Sequence, residues 1–438
     1  MSADYQPEVE VVQLCQELIR IDTSNYGSDP GPGERDAAER VSELLDEVGI
    51  SSQVLEPEPG RASVAARWEP DGADRSLSPL LIHGHLDVVP ANAADWSVPP
   101  FSGDIVDGCV WGRGAVDMKG FDATVLSVVR ARVRAGAAPR RPIQLIFTAD
   151  EEAGSGLGAR WIVDEYRDVL EGCQEAIGEV GGFSLTVRDD LRLYPIQTAE
   201  KGMAWINLIA EGRAGHGSLH HPENAITELS AAIARIGAYD WPRRITGPQR
   251  AFLETVAEAF EIDLDPDHLE EGLPRLGIIA RVIGATLSNT ANPTMLSAGY
   301  KHNVIPSKAT ASIDGRFVPG GEGEFYATIN ELIGDKVRYE VVNHQPSVET
   351  EFSGKIVEAM QASLVAEDPS ARAVPFLSTA GTDGKAWHRA GIRCFGFTPL
   401  RLPPELDFMS MFHGIDERVP IDSLQFGARV LDRFLDHA

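Results

Sequence analysis

The chain has few cysteines and no long apolar run, and each shortage excludes a class of protein. The four cysteines are far apart and form no C-x-x-C pair, so neither a disulfide framework nor a cysteine-ligated zinc site is expected. No apolar run reaches the roughly 18 residues that a membrane-spanning helix needs. A membrane is therefore not an expected partner.

Basic residues are also scarce compared with acidic ones. The 438 residues contain 39 Lys and Arg against 66 Asp and Glu, which gives a formal net charge of −27. A balance of this sign disfavours binding to nucleic acid or to an anionic membrane surface. The first residues show no basic segment followed by an apolar core, so we predict no secretory signal and a cytoplasmic location.

Short apolar runs alternate with segments of helical periodicity in the first part of the chain. Apolar residues at helical spacing predict helices over 8–20 and 34–48. Later strand-like runs, such as "PLLIHG" and "PIQLIFTADEE", are separated by helix-like segments. This order predicts an α/β fold, with a mixed, mostly parallel sheet and helices on both faces.

Three of the strand-like runs end in polar side chains. His85 and Asp87 follow the first run, Glu151 and Glu152 the second, and Glu179 the third. In open α/β sheets, ligands bind at the carboxyl ends of the strands. The sequence therefore predicts that these side chains lie close together at one edge of the sheet.

The pattern changes near residue 196. Residues 196–345 follow the order β-α-β-β-α-β, which is typical of a small split-βαβ domain. A longer piece near 240–294, rich in Glu, Asp and Pro, is interpreted as an insertion in this domain. The predicted organisation is a domain over 1–195 and 346–438, interrupted by a second domain over 196–345.

Imidazole and carboxylate side chains at predicted loop positions form a candidate ligand set. The set contains no cysteine, which suits Zn²⁺, Co²⁺ or Mn²⁺ in a hydrolytic site better than a closed structural zinc. Three carboxylates and one hydroxide would balance the charge of two divalent ions without a fourth carboxylate. The members of the set are His85, Asp117, Glu151, Glu152, Glu179 and His413.

Two pairs within this region carry further information. Glu151 and Glu152 are adjacent, so their side chains diverge, and one can bind a metal while the other acts as a general base. His85 and Asp87 are two residues apart on an extended chain and point to the same side. Such a pair serves in general-base catalysis, in a nucleophile triad, or as a metal ligand with the carboxylate that orients it. A histidine satisfied by a neighbouring acid is the alternative.

Five motifs resemble those of one known family. "GHLDVVP", "GRGAVDMKG", "TADEEAGS", "GEVGGF" and "FHGIDERVP" are similar to the motifs of the co-catalytic zinc peptidase and deacylase family. Its members include acetylornithine deacetylase, succinyl-diaminopimelate desuccinylase, aminoacylase and glutamate carboxypeptidase. The resemblance extends from about residue 8 to the C-terminus. It implies a catalytic domain that binds two divalent metal ions, interrupted by a lid and dimerisation domain.

The resemblance also implies roles for individual side chains. Glu151 would be the general base, Asp87 would orient the ring of His85, and the peptide bond between Asp117 and Met118 would be cis. The run "GEVGGF" departs from the family's usual Glu-Gly-Gly or Glu-Pro. The metals would be zinc, with cobalt or manganese as alternatives. The implied metal ligands are His85 and Glu179 for the first ion, Glu152 and His413 for the second, and Asp117 bridging both.

On the substrate side, the resemblance implies a homodimer in which His216 reaches the partner subunit's active site and binds the oxyanion. A surface turn or a packing role is the alternative for this histidine. Asn303 and Arg316 would lie in adjacent lid strands and bind the substrate's carboxylate or carbonyl. An ion pair with an acidic neighbour is the alternative for Arg316. Gly381 and Thr382 belong to a glycine-rich turn whose N–H groups can bind a carboxylate.

These features predict a dinuclear metal-dependent hydrolase that cleaves an amide bond beside a free carboxylate, as a dipeptidase or carboxypeptidase. An N-acyl-amino-acid deacylase is the alternative within the family, and the expected substrate is a small dipeptide or N-acyl amino acid. A non-catalytic binding protein on the same fold is the alternative from another class. A two-metal phosphoesterase is disfavoured because few basic residues lie near the motifs.

Overall fold

The chain contains both helices and strands throughout, as the sequence pattern predicts. The computed structural model describes residues 6–27, 31–260, 269 and 283–438. The helices are α1 (Pro7–Arg20), α2 (Arg35–Asp46), α3 (Lys119–Ala135), α4 (Ala159–Glu165), α5 (Ala225–Gly237), α6 (Gly247–Phe260), α7 (Glu322–Ile333), α8 (Lys355–Glu367), α9 (Gly384–Arg389) and α10 (Ile421–His437). The strands are β1 (Ser52–Glu58), β2 (Arg61–Trp68), β3 (Leu80–His85), β4 (Ile105–Val106), β5 (Cys109–Trp111), β6 (Ile143–Thr148), β7 (Glu175–Gly178), β8 (Leu185–Arg188), β9 (Leu191–Glu200), β10 (Gly202–Glu211), β11 (Gly215–His216), β12 (Thr290–Ala298), β13 (Val304–Ile305), β14 (Lys308–Phe317), β15 (Val337–Gln345), β16 (Val348–Glu349), β17 (Ala371–Ser378), β18 (Arg393–Gly396) and β19 (Arg418–Pro420).

The chain divides into two compact units. The first unit comprises Met1–Thr198, Thr350–Phe376 and Thr382–Ala438, and the second comprises Ala199–Glu349 and Leu377–Gly381. The lid and dimerisation role of residues 196–345 stays a prediction. No helix in the described ranges is long and apolar enough to cross a membrane.

The first unit is built on a mixed sheet with strand order β1-β2-β6-β3-β7-β18-β9. The four central strands, β6, β3, β7 and β18, run parallel, and the flanking pairs are antiparallel. Every residue of β3 and β6 is buried, which is expected of parallel strands covered on both faces. The predicted fold class is confirmed.

Side chains alternate between two hydrophobic clusters along the central strands. Leu80 and Ile82 of β3 belong to one cluster, which includes residues of α1, α2, α3, α8 and α10. Leu81 belongs to the other, which includes residues of α4 and α9. Because successive strand side chains point to opposite faces, helices cover both sides of the sheet. The carboxyl ends of β3, β6 and β7 consequently open at the same edge, where the predicted ligands lie.

The second unit contains a separate antiparallel sheet of order β12-β14-β10-β15. Its elements follow the chain order β10-α5-β12-β14-α7-β15, which is the predicted split-βαβ arrangement. Ile206, Leu208, Leu229 and Phe325 pack in its core. The strand β12 begins at Thr290, so the last residues of the proposed 240–294 insertion form a strand. Helix α6 also lies in that segment, and much of the remainder lies outside the described residues.

Candidate metal centre

His85 is the last residue of β3, and its ring is fixed by the residue two positions on. Nδ1 of His85 lies 2.9 Å from the backbone carbonyl oxygen of Asp87, to which it donates. The nearest carboxylate oxygen of Asp87 is farther away, at 3.6 Å. Nε2 points to the opposite side, 3.1 Å from Oδ1 of Asp117 and 3.5 Å from Oε2 of Glu179. The ring therefore presents its second nitrogen to two carboxylates, as a metal-binding imidazole does.

The carboxylate of Asp87 also holds the turn that follows β6. Its Oδ1 accepts from the backbone N–H of Glu151 and its Oδ2 from that of Glu152, each at 3.0 Å. Oδ2 also accepts from Asn25 at 2.9 Å. The His85 ring is held by the Asp87 backbone, whereas the Asp87 carboxylate fixes the turn that carries the two glutamates.

Asp117 lies between two groups of candidate ligands. Its Oδ1 faces His85, and its Oδ2 lies 3.4 Å from Nε2 of His413. The same nitrogen of His413 lies 3.1 Å from Oε2 of Glu152. His85, Asp117 and Glu179 thus form one group of converging ligand atoms, and Asp117, Glu152 and His413 form a second. The two groups share Asp117.

The loop that carries Asp117 is anchored by Glu417, which is fully buried. Oε2 of Glu417 accepts from Arg113 at 2.7 Å and from the N–H of Gly114 at 3.1 Å. Oε1 accepts from the N–H groups of Val116 and Asp117, at 2.7 and 3.1 Å. Both carboxylate oxygens are therefore saturated by the segment that positions Asp117. The peptide bond between Asp117 and Met118 is cis, as the resemblance implied.

The "GEVGGF" run places Glu179 directly after β7. Val180, the residue that departs from the family pattern, has φ of 59°, a left-handed conformation that is unusual for a β-branched side chain. Burial raises the pKa of the Glu179 carboxyl to about 8. The backbone thus accommodates the valine while Glu179 faces His85.

The pKa values of the groups in this cluster are raised in a way that favours a bound cation. Burial, and then the charge of Glu179, raise the pKa of Glu151 well above its ordinary value. Hydrogen bonds to Asp117 and Glu152 raise the pKa of His413 to about 10. Burial alone would lower the pKa of His85, but the charge of Glu179 and the hydrogen bond to Asp117 outweigh it and raise the pKa. The carboxylates therefore retain protons on both imidazoles, and a divalent cation can replace those protons.

The donor set fits two divalent metal ions. Glu152 Oε1 and Glu179 Oε1 are buried and have no hydrogen-bond partner among the described residues, so each group retains a carboxylate oxygen available for coordination. The ligands are imidazole nitrogen and carboxylate oxygen, which suit Zn²⁺, Co²⁺ or Mn²⁺.

An apolar wall borders the first group. A narrow cavity of about 20 Å³ lies beside Asp117 and Glu179 and is lined by side chains that include Met118, Phe121 and Phe408. This volume has room for about one water molecule. The low polarity of the wall contributes to the burial that raises the pKa of Glu179.

The predicted substrate-side residues lie mostly in the second unit. His216 is exposed in β11, with Nδ1 2.8 Å from Oγ of Ser218. Asn303 is close to it, because its carbonyl accepts from Gly217 at 3.0 Å. The expectation that Asn303 and Arg316 lie in adjacent strands is wrong. Asn303 is in a turn before β13, which pairs with β11, whereas Arg316 lies in β14 of the four-stranded sheet.

Arg316 makes the ion pair that the alternative interpretation anticipated. Its Nε lies 2.7 Å from Oδ1 of Asp314, and its Nη2 donates to Oδ2 at 3.1 Å. Gly381 belongs to the second unit and Thr382 to the first. The Thr382 hydroxyl accepts from the N–H of Gly384 at 3.0 Å, so it stabilises the start of α9.

Comparison with known proteins identifies the family. The model of peptidase family M20/M25/M40 matches residues 81–437. The chain belongs to this family. This chain is 30% identical over 384 residues to "Probable carboxypeptidase S-like 2" of Dictyostelium discoideum, and the match covers 82% of this chain and 71% of that protein. It is 26% identical over 423 residues to aminoacylase-1 of Homo sapiens, covering 93% and 90%.

A solved structure from this family has the same fold as this chain. The M20 family metallo-carboxypeptidase Sso-CP2 from Sulfolobus solfataricus superposes with a TM-score of 0.73 at 19% identity, covering 98% of this chain and 99% of that one. Together with the two ligand groups, the family assignment makes the chain a metallohydrolase acting on peptide or other linear amide bonds.

The side chains that hold the candidate metal ligands in place were not identified from the sequence. Glu417 lies in the quoted "FHGIDERVP" motif and Arg113 in "GRGAVDMKG", yet neither was given a role. Asn25, which donates to Asp87 and at 3.2 Å to Asp150, was also missed. The available signal was the presence of further acidic and basic residues inside motifs already recognised for their ligands.

Proposed function

We propose that the chain hydrolyses an amide bond beside a free carboxylate, as a dipeptidase or carboxypeptidase. The observation that carries the proposal is the pair of ligand groups joined at Asp117, with Glu151 beside them and outside both groups. A ligand set that leaves one half-buried carboxylate free is the arrangement that hydrolysis by general-base catalysis requires.

The ligands divide between two metal sites. His85 and Glu179 would hold the first ion, Glu152 and His413 the second, and Asp117 both. When bound, two divalent ions supply a Lewis acid for the scissile carbonyl and lower the pKa of water. We propose zinc as the metal, with cobalt and manganese as alternatives.

Glu151 moves the proton in the proposed reaction. Its raised pKa lets it take a proton from the attacking water and retain that proton in the tetrahedral intermediate. It then passes the proton to the leaving amine. The hydrogen bond from the N–H of Glu151 to Asp87 holds the backbone of the base in place during both transfers. The two transfers leave Glu151 in its starting ionisation state.

The substrate's free carboxylate requires a separate binding group. Asn303, Gly381 and Thr382 are proposed for this role, together with Arg316. In its present geometry Arg316 is engaged by Asp314, so it would have to exchange one carboxylate for another on binding substrate. An Arg316→Lys variant would lose the bidentate geometry and should show a raised KM with little change in kcat.

His216 is proposed to bind the oxyanion in the active site of the partner subunit of a homodimer. Its exposure supports this role. The strand β12 is an edge of its sheet, and its Met295 and Leu296 are 69% and 66% exposed. An exposed apolar edge strand is suited to pairing with a second copy. His216→Ala should keep metal content and dimer mass while losing mainly turnover.

An N-acyl-amino-acid deacylase is the second candidate function. The similarity to aminoacylase-1, which covers most of both chains, favours it. The two candidates share the amide bond and the adjacent carboxylate and differ in the acyl group.

The test is amine release from a panel of dipeptides, C-terminally free peptides and N-acyl amino acids. Chelator-stripped protein is assayed with and without Zn²⁺ or Co²⁺, beside Glu151→Gln. Release that returns with metal and is lost in Glu151→Gln, at unchanged metal content, supports the proposed reaction, and the best substrate distinguishes peptidase from deacylase. No release from any member by protein with two bound metals would favour a non-catalytic binding protein.

A further inference from the structure

A second cavity lies at the opposite edge of the first unit's sheet. It has a volume of about 230 Å³ and is bordered by residues at or just before the amino ends of β3, β6, β7 and β18. The metal ligands follow the carboxyl ends of these parallel strands. The length of β3, from Leu80 to His85, places roughly 17 Å between the two edges. The cavity is thus separate from the candidate metal centre.

Positive charge is concentrated at this cavity. Four of its lining side chains are cationic, Arg140, Arg141, Lys355 and Arg393, and one is a carboxylate, Glu175. Ala438 also borders the cavity, and the cationic side chains exceed the anionic one by three. In a chain with a formal net charge of −27, such a local excess of cations produces a positive field that attracts anions.

Glu175 holds two of the cations in fixed positions. Its Oε2 lies 2.8 Å from Nη2 of Arg141, and its Oε1 lies 3.2 Å from Nη1 of Arg393. Arg393 also donates to the carbonyl oxygen of Ser353 at 2.9 Å. Arg141 is 95% buried (5% exposed), and its Nε has no hydrogen-bond partner among the described residues. The cavity wall therefore contains a pre-positioned, buried cation with an unused donor.

The other two cations form no close ion pair within the described residues, and Arg140 interacts electrostatically with the more distant carboxylate of Asp74. Lys355 and Arg140 form no ion pair within 4.0 Å in the described part of the chain, and Arg140 donates only to the carbonyl oxygen of His437. Lys355 is also the first residue of α8, a helix of 13 residues without a side-chain cap at its N-terminus. The positive end of this helix adds to the field at the cavity.

We propose that this cavity binds a small tetrahedral dianion of the phosphate type, either inorganic phosphate or a phosphate monoester. Cationic donors border the cavity from three separate segments of the chain, and the oxygens of a phosphate accept from several directions, whereas a carboxylate accepts in one plane. The proposal is independent of the reaction at the metal centre.

The test is calorimetric titration of the metal-loaded full chain with inorganic phosphate and, separately, with glycerol phosphate. Lys355→Glu reverses the charge of an exposed side chain and should weaken binding by at least about tenfold. Lys336→Glu reverses an exposed lysine of the second unit and is the matched control, which should bind like the wild type. Arg140→Gln provides a second reduction of charge and should also weaken binding. Stronger binding of one titrant identifies the source of the phosphate group.

Two outcomes would overturn the proposal. The first is the absence of saturable binding of either titrant to the wild-type chain. The second is equal affinity in the wild type, Lys355→Glu and Arg140→Gln, because binding of phosphate at the metal centre would not respond to these residues. Retained amide hydrolysis in Lys355→Glu would show that the variant is folded.

Discussion

Replacing Glu417 by glutamine should weaken metal binding although Glu417 is not a metal ligand. Each carboxylate oxygen of Glu417 accepts two hydrogen bonds, one pair from Arg113 and Gly114 and the other from Val116 and Asp117. Glutamine has only one acceptor oxygen, so in either orientation its NH₂ group would face two donors. The segment that carries Asp117 would have to move.

The magnitude follows from the burial of the pair. Arg113 is 3% exposed and Glu417 is fully buried, and removing one partner of a buried ion pair costs about 3–5 kcal/mol of unfolding free energy. Displacing the support of a metal ligand typically lowers metal affinity by about 10–100-fold. We expect both effects in Glu417→Gln, measured by denaturant unfolding of the metal-free chain and by competition for Zn²⁺ with a chelating dye.

A matched control separates the two effects. Asp432 forms an ion pair with the buried Arg132 at 2.6 Å in the same unit, between α3 and α10 and apart from the ligands. Asp432→Asn should reduce stability and leave Zn²⁺ affinity unchanged. If Glu417→Gln loses stability but binds Zn²⁺ like the wild type, the inferred positioning of Asp117 is refuted.

Three further outcomes are expected. The pKa of His413 is raised to about 10, so its imidazolium is favoured below that pH in the metal-free chain. Uptake of Zn²⁺ at pH 7 should therefore release protons, and the Zn²⁺ affinity should increase with pH. Uptake without proton release in an unbuffered titration would contradict this. Burial and the charge of Arg316 lower the pKa of Lys201 to about 8, so the folded state favours the neutral amine, and the unfolding free energy should rise by about 3 kcal/mol between pH 8 and 10.5. Lys201→Met should lose that rise in denaturant titrations, and an unchanged pH profile would argue against a buried lysine. Gly178→Ala would place a Cβ 2.2 Å from the ring of His83 and should cost about 1–3 kcal/mol of unfolding free energy by the same assay; wild-type stability would show that the ring can move aside.

The sequence predicted the fold class because its signals are local and repeated. Apolar residues of α1 recur at Val11, Leu14, Cys15 and Leu18, all buried. The fully buried strands β3 and β6 consist mostly of apolar residues, with a few polar residues among them. Parallel strands bring their carboxyl ends to one edge, so the convergence of residues far apart in sequence could be inferred from strand endings alone. The insertion near 240–294 was extended too far, because Pro293 interrupts the apolar pattern of β12, which begins at Thr290.

Contacts between residues distant in sequence could not be predicted in this way. Glu417 and Asp117 are 300 residues apart, and their hydrogen bond depends on how β19 pairs with β5. The split role of Asp87, with its carbonyl on His85 and its carboxylate on the following turn, depends on sub-ångström placement that a spacing of two residues does not encode. Asp314 lies two residues from Arg316 on the same strand, so that ion pair was the part of the substrate side open to prediction.

The double attachment at Asp87 has a consequence for how variants of this centre behave. One residue fixes the ring of a first-site ligand through its carbonyl, and the same residue fixes both glutamates of the neighbouring turn through its carboxylate. A side-chain substitution at this position leaves the carbonyl contact with His85 but releases the N–H groups of Glu151 and Glu152. It should therefore alter metal affinity and the proposed proton transfer together. Double-mutant cycles that pair Asp87 with Glu151 or Glu152 should show strong non-additivity, because one carboxylate positions both glutamates.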